Sequence, residues 1–411
     1  MNRDELIHDW NRLPGAFDYA PVRVELDDET LRDGLQNPSV TDPPIGKKLE
    51  LLHLMVELGI HAADIGLPGA GPRAYEAVLA LAREIAERDL PIAANCAART
   101  VVADIEPIAR VSQATGLRLE VGAFIGSSPI RQYAEGWDLD KILGATRRAI
   151  EFAVGEGLDV MYVTEDTTRS RPDALRTLYT AAIESGARRI CLADTVGHAT
   201  PHGTRQLVRY ARQIVADAGE DVRIDWHGHR DRGFGLANAL AAIEEGVDRV
   251  HGTALGIGER VGNTEMDLLL VNFRLLGLHD RDLTKLPEYC GLAAQMCGLE
   301  VPHNYPVIGE DAFRTGTGVH AAAIIKAIGK GDRWLEDSVY SGVPASAVGR
   351  RQRIEISPVS GLSNVKYWLS EHGYDPDDAA LCEALFGLAK RCDHTLTRQE
   401  IEGEIARVRA G

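Results

Sequence analysis

The sequence predicts an α/β protein, a (β/α)8 TIM barrel followed by a mainly helical C-terminal appendage. Three observations predict it. Short β-type runs alternate with longer helical runs from Pro21 to Asp280. Eight β runs can be counted, and eight β-α units in about 260 residues is the length of one such barrel. Polar residues with chemical capacity recur just after the β runs, where barrels of this class carry their active sites. A doubly wound sheet is the competing architecture. It normally has a Gly-rich turn after its first strand, whereas this turn reads Asp27-Asp28-Glu29-Thr30-Leu31-Arg32-Asp33-Gly34.

The expected strands are Val22–Leu26, His61–Ile65, Ile92–Asn95, Arg118–Phe124, Val160–Thr164, Arg189–Ala193, Arg223–Trp226 and Arg249–Gly252. Most are rich in Val, Ile and Leu, as strands covered by helices on their outer face should be. Ile92–Asn95 is short and Arg223–Trp226 is partly polar. The run Ile45–Leu58 places Ile45, Leu49, Leu52 and Val56 at helical spacing. Ala74–Glu87, Lys141–Glu156, Pro172–Ser185, His202–Ala218 and Ala237–Glu245 read the same way. The barrel, with a short N-terminal extension, is expected over residues 1–280, and linker subdomains that complete the active site over 281–411. In that second part Leu286–Leu299, Val319–Ile328, Pro376–Arg391 and Thr397–Arg409 read as helices, and Gly342–Ser363 as connecting loop. No large regulatory domain is expected after it.

The 411 residues are 45% hydrophobic and 26% charged, an ordinary globular composition with ample material for a core. The formal charge of −16 repels nucleic acid and anionic lipid. The six cysteines form no C-x-x-C pair and read as buried, reduced thiols. The N-terminus lacks an apolar signal segment, and no run approaches the length of a membrane span. A cytoplasmic protein without nucleic-acid or membrane partners is the expectation.

The strand ends supply the candidate chemistry. Arg32, Asp33 and Gln36 follow the first strand, Glu165 and Asp166 the fifth, and Asp194 and Thr195 the sixth. The seventh ends in His227-Gly228-His229. Residues two apart on a strand face one side, so both imidazoles are aimed at one point above the barrel. Imidazoles with a carboxylate suit a divalent metal. Asp33 can supply that carboxylate, because strands seven, eight and one are neighbours in a closed barrel. Asn263, after strand eight, could add an amide oxygen. Arg32 could stabilise an oxyanion formed from a carbonyl, or pair with a barrel carboxylate such as Glu165. Thr195 could bind a substrate carboxylate or cap the following helix. The spacing Gly256-x-Gly258-x-x-x-Gly262 is not the dinucleotide fingerprint; it marks either close approach to a ligand or a tight loop. His320, in Arg314-Thr315-Gly316-Thr317-Gly318-Val319-His320, lies outside the barrel, where a lone histidine is usually structural.

These residues resemble a family of metal-dependent TIM-barrel lyases and synthases, the DRE-TIM metallolyases. It includes 2-isopropylmalate, homocitrate and citramalate synthases and hydroxymethylglutaryl-CoA lyase. The carrying motifs are Glu29-Thr30-Leu31-Arg32-Asp33-Gly34-Leu35-Gln36 and His227-Gly228-His229-Arg230-Asp231-Arg232-Gly233. Thr164-Glu165-Asp166-Thr167-Thr168-Arg169-Ser170, Leu192–Pro201 and Gly258-Glu259-Arg260-Val261-Gly262-Asn263 are similar to segments of the synthase branch. The lyases carry a catalytic cysteine in the last loop, and His251–Asn263 contains none.

The resemblance implies a Claisen-type condensation of acetyl-CoA with a 2-oxo acid, followed by thioester hydrolysis. It implies a divalent metal (Mg, Mn or Zn) on Asp33, His227, His229 and Asn263. Arg32, Glu165, His320 and Tyr340 are the candidate catalytic residues. Gln36, Thr195 and Arg131 are candidates for the 2-oxo acid, and Gly258 and Glu259 for the acyl-CoA. A homodimer with exchanged C-terminal subdomains is implied as well. The chain departs from the synthase pattern at Leu35, Gly122, Arg131 and Arg230. The added arginines could serve an extra anionic group or pair with local acids. The alternatives are a carbon–carbon lyase or aldolase, and a non-catalytic metal-binding relative.

Overall fold

The structure is a computed structural model that describes residues 3–410. Its first compact unit comprises the chain up to Arg281 together with Glu288–Leu299; the second comprises Asp282–Pro287 and the chain from Glu300 on. The expected boundary at 280 lies beside the end of the first segment, and residues 288–299 group with the barrel. Tyr289 is fully buried there and its hydroxyl donates to Asp28.

The first unit is a closed eight-stranded barrel, every strand parallel to its sequence neighbour. The strands are β1 (Glu25–Asp28), β2 (Ala62–Asp64), β3 (Ala93–Arg99), β4 (Glu120–Gly126), β5 (Asp159–Glu165), β6 (Arg189–Asp194), β7 (Arg223–Gly228) and β8 (Arg249–Gly252). The ring closes where Glu25 pairs in register with Arg249 and Asp27 with His251. All eight expected strands are present. The first is displaced toward its C-terminus, because Asp27 and Asp28 are strand residues and not a turn. Asp27 accepts both bonds of the Asn95 amide at 3.0 and 2.9 Å, and Asp28 accepts the Thr30 N–H at 2.8 Å.

Helices cover the outside. Pro201–Ala218 shows why such a segment folds as it does. Thr200 caps its start, accepting the Gly203 N–H, and Pro201 follows at a position that needs no donor. Gly219 ends it in the left-handed conformation. Val208, Ala211 and Ile214 turn inward at helical spacing, and burying each large side chain fully contributes about 1.5–3 kcal/mol. Since Thr200 is the cap, Thr195 is not. Besides the short Pro129–Glu135, two longer barrel helices escape the periodicity reading. Val102–Thr115 contains Pro107, and Met266–Leu276 is apolar over so much of its circumference that no stripe stands out.

The barrel interior is largely ionic. Arg189 donates to Asp225 at 2.7 Å and to Glu120 at 3.1 Å. Arg249 donates to Asp225 and Glu120, both at 2.6 Å. His251 bridges Asp225 at 2.9 Å and Glu29 at 2.6 Å. These side chains alternate inward along β1, β4, β6, β7 and β8 and stack as a charged column on the barrel axis.

In the second unit, the helices Leu362–Glu371, Ala379–Arg391 and Arg398–Ala410 bury Val365, Leu369, Leu381, Leu385, Ile401 and Ile405 against one another. Helix Gly318–Gly329 packs through Ala321 and Ile324 against Ile354. Arg353–Ile354 itself pairs in parallel with Arg314–Thr315. The expected loop Gly342–Ser363 contains this short strand and a 3-10 turn, and its last residues already open the helix Leu362–Glu371. That helix and Arg333–Ser338 were not expected from periodicity. All six cysteines are unpaired and five are buried.

Candidate active site

A cavity of about 260 Å³ opens at the C-terminal ends of the strands. One half of its lining is ionisable, from β1, β2, β7 and β8: Glu29, Arg32, Asp33, Asp64, His227, His229 and His251. The other half, from β3 to β6, is mostly apolar: Ala97, Gly122, Phe124, Met161, Val163, Cys191 and Ala193, with Glu165 and Thr195 at the ends of β5 and β6.

Ligating atoms of Asp33, His227 and His229 all lie within 4.8 Å of one another. The Nε2 atoms of His227 and His229 stand 3.9 and 3.7 Å from Asp33 Oδ2. Those separations are too long for hydrogen bonds and suit donors that share an ion about 2.0–2.2 Å from each. His229 follows the strand end, where its backbone bridges Asn263. The Asn263 amide donates to Asp33 at 2.8 Å, and its oxygen is buried without a partner. His229 Nδ1 is likewise buried without a partner. Burial, and then the neighbouring His227, outweigh Asp33 and push His229 down to about 4, so it is neutral and able to ligate at physiological pH. An orphaned amide oxygen beside a carboxylate and two imidazole Nε2 atoms fits a bound divalent cation.

A second triad, Glu29, His227 and His251, also gathers its donor atoms closely. It does different work. Both His251 nitrogens are engaged, by Glu29 and Asp225. Burial opposes its charge, but those two hydrogen bonds and the surrounding acids hold it up to about 10. Protonated on both nitrogens, it has no lone pair to give. Glu29 also faces His227 Nδ1 at 3.2 Å, which favours the tautomer that leaves His227 Nε2 free toward Asp33. Glu29, Asp64 and His251 were not singled out from the sequence. The available signal was the period-two run of charges Glu25/Asp27/Glu29, Asp225/His227 and Arg249/His251.

Arg32 does not pair with Glu165. Its guanidinium is held by Glu29, by Asp33 at 3.0 Å and by Asp64 at 2.7 Å. Burial opposes its charge, but these three carboxylates keep it firmly protonated. Glu165 lines the cavity, and burial pushes its carboxyl up against the opposing pull of Arg131. Arg131 itself does not line the cavity; it pairs with Glu135 at 2.9 Å and stands 3.8 Å from Glu165. Thr195 faces the cavity and its hydroxyl accepts the Asp166 N–H at 2.8 Å, which leaves its own proton to donate. Asp166 sits in the left-handed region at φ 59° and is fixed by Arg169 through two bonds of 2.7 Å. Gln36 lines the mouth.

The glycine loop is a tight loop around the ligands. A Cβ at Gly258 would overlap the Asn263 amide and lie 2.7 Å from Asp33 Oδ1, and one at Gly262 would overlap the Gly256 carbonyl oxygen. Gly258 therefore faces Asp33 and Asn263, and only Glu259 of the acyl-CoA candidates lines the cavity. Arg230 pairs with Glu265, a local acid. His320 and Tyr340 meet in the second unit, their rings 4.3 Å apart and tilted by 31°. Both are exposed.

The HMGL-like family model matches residues 23–291. A probable 2-isopropylmalate synthase of Methanopyrus kandleri is 32% identical over 368 residues, covering 88% of this chain and 68% of that protein. A homocitrate synthase of the same organism is 32% identical over 371 residues, covering 89% and 87%. The solved hydroxymethylglutaryl-CoA lyase from Pseudomonas aeruginosa superposes with a TM-score of 0.58 at 20% identity, over 69% of this chain and 95% of that one, a likeness of fold. With its closed barrel and these matches, the chain belongs to the HMGL-like family.

Proposed function

We infer that this chain is a synthase that condenses an acyl-CoA, acetyl-CoA in our reading, with a 2-oxo acid and releases free CoA. The observation that carries it is the Asp33–His227–His229 cluster beside a pinned Arg32 in a cavity sized for a small acid. The synthases similar over most of the chain favour condensation over the lyase alternative, whose likeness is of fold and whose loop cysteine is missing.

A divalent cation (Mg²⁺, Mn²⁺ or Zn²⁺) on Asp33, His227, His229 and the Asn263 amide oxygen would supply Lewis-acid polarisation of the 2-oxo group. Arg32 spends three N–H groups on Glu29, Asp33 and Asp64 and keeps others for the oxyanion that forms on that group. Thr195 donates its hydroxyl to the substrate carboxylate, and Gln36 borders the same mouth. A base takes a proton from the acyl methyl carbon, and that carbon's electron pair forms the new C–C bond. The former ketone oxygen takes a proton. Water then adds to the thioester, the C–S bond breaks and CoA leaves as the thiol. His320, aided by Tyr340, is the proposed proton-transfer residue, and Glu165 the second candidate. We propose that His320 acts in the partner's site within a homodimer that exchanges C-terminal subdomains. Mixing Asp33→Ala with His320→Ala protein then restores the CoA release that each variant lacks alone; no restoration assigns both residues to one chain's site.

The apolar half of the cavity receives the side chain of the 2-oxo acid. Arg32 and Arg260, the arginines that line the cavity, are already paired with acids, and a second carboxylate would face Glu165. Thiol release across a panel of 2-oxo acids, each with Mg²⁺, Mn²⁺ and Zn²⁺, tests both points. Branched or aromatic acids should exceed oxaloacetate and 2-oxoglutarate by about tenfold or more in kcat/KM, since an uncompensated buried charge costs well over 1.4 kcal/mol. Fastest turnover of a dicarboxylate removes the apolar-substrate reading alone. Silence with every acid removes the synthase.

A further inference from the structure

Arginines also gather at the opposite, N-terminal mouth of the barrel. Two adjoining clefts there, of about 460 and 480 Å³, share Arg23, Leu278 and His279. Arg281, His61 and Arg223 line one, and Arg274 the other. Arg223 pairs with Glu25 at 2.9 Å, and the other oxygen of Glu25 faces Arg189 at 3.3 Å. Asp248 accepts the Ile224 N–H at 2.8 Å, and Asp280 is exposed. Among the described residues, no carboxylate lies within the 4.0 Å of an ion pair from Arg23, Arg274 or Arg281. Arg23 and Arg274 donate only to backbone carbonyls. Three unpaired guanidinium groups share one mouth of a chain whose formal charge is −16.

The hydrogen-bond accounting makes the site specific. His61 Nδ1 accepts the Leu26 N–H at 2.8 Å, so the ring proton sits on Nε2. That nitrogen stands 2.7 Å from Arg281 Nη2, so both ring nitrogens face N–H donors although a neutral imidazole accepts only one of them, and one donor is left over. His279 Nδ1 accepts the Arg281 backbone N–H at 3.3 Å, so its proton also sits on Nε2, which is buried without a partner. Arg281 Nη1 is buried without a partner too. Of the nine buried side-chain N and O atoms that lack a partner among the described residues, two therefore belong to this cluster, and both are donors. Arg281 is also built in: a Cβ at Gly59 would lie 3.0 Å from its Cδ and Nε. The neighbouring charges act on both rings, since burial and then Arg281 push His61 and His279 down, His279 to about 4.

Converging donors that lack an acceptor are the complement of an oxyanion. We propose that the N-terminal mouth of the barrel is a binding site for the phosphate or carboxylate group of a small molecule, held by Arg281, His61 and His279 with Arg23 and Arg274 at its rim. The site is separate from the catalytic cavity and shares no residue with it.

Calorimetric titration of the full chain with inorganic phosphate and with succinate, at constant ionic strength in chloride, tests this. Saturable binding at or below the order of 10 mM is expected, and the tighter of the two anions identifies the class of ligand group. Arg281→Gln should weaken it at least tenfold. Arg23→Gln, an exposed change that spares the packed guanidinium, should weaken it several-fold and guards against a folding defect at Arg281. Absence of binding by both anions, or the same affinity in both variants, overturns the proposal.

Discussion

The two mouths of the barrel are chemical opposites. At the C-terminal mouth acceptors converge: Asp33, the Nε2 atoms of His227 and His229, and an Asn263 oxygen with no donor. At the N-terminal mouth donors converge: Arg281, His61 Nε2 and His279 Nε2, with no acceptor between them. One arrangement fits a cation and the other an anion. Three of the nine buried atoms left without a partner among the described residues, the Asn263 oxygen, His279 Nε2 and Arg281 Nη1, belong to these two arrangements. Buried polar groups are normally satisfied, so such vacancies locate ligands better than charge does. Between the mouths the ion column satisfies nearly everything and has no vacancy for a ligand.

That contrast can be broken at three levels. Asp33→Ala should lower metal content and reduce CoA release on the order of a thousandfold, because Lewis-acid stabilisation of the transition state is worth several kcal/mol. Phosphate binding at the other mouth should survive it, so parallel loss of both would mean that the mouths are not independent. Arg249→Met strikes the column instead, leaving Asp225 and Glu120 short of a buried partner. It should cost about 3–5 kcal/mol in urea unfolding; a smaller loss would mean that water enters the column. The mildest probe is pH. His251, held up to about 10, is charged in the folded protein where it would be neutral in the unfolded chain. Its contribution is complete below pH 6.5 and shrinks as pH rises toward 10, on the order of 1 kcal/mol per pH unit. His251→Asn should flatten the alkaline limb of the stability profile, and an unchanged slope would assign that limb to other groups.

The sequence made the C-terminal mouth legible and the rest of the axis obscure. An H-x-H at a strand end has a geometric meaning in one chain, because period two puts both rings on one face. Asp33 joined them through barrel closure. Arg189, Arg249, Asp225 and Glu120 follow the same period, but a barrel interior is expected to hold branched apolar side chains. Charged alternation therefore reads as a solvent face. His320 became a candidate only through resemblance, since nothing in Gly316–His320 distinguishes a catalytic ring from a surface one. The donors of the N-terminal mouth come from Arg23, His61 and the stretch Arg274–Arg281, which no local pattern connects. The helices Val102–Thr115 and Met266–Leu276 were missed for opposite reasons, an internal proline in one and an unbroken apolar run in the other.

The ion column also sets an order of assembly. β1 and the residue after it contribute Glu25, Asp27 and Glu29, yet the cations that neutralise much of this charge, Arg189, Arg249 and His251, arrive with β6 and β8. A nascent chain that has emerged only through β5 holds its acids without these partners, and desolvating them early would be costly. Closing the half-formed sheet is therefore penalised until the eighth strand can join the first, a contact more than 200 residues distant in sequence. Long-range closure of this kind slows folding, and here it also acts as a checkpoint. A truncated chain cannot seal a dry barrel, which makes premature termination products open, hydrated and accessible to proteolysis.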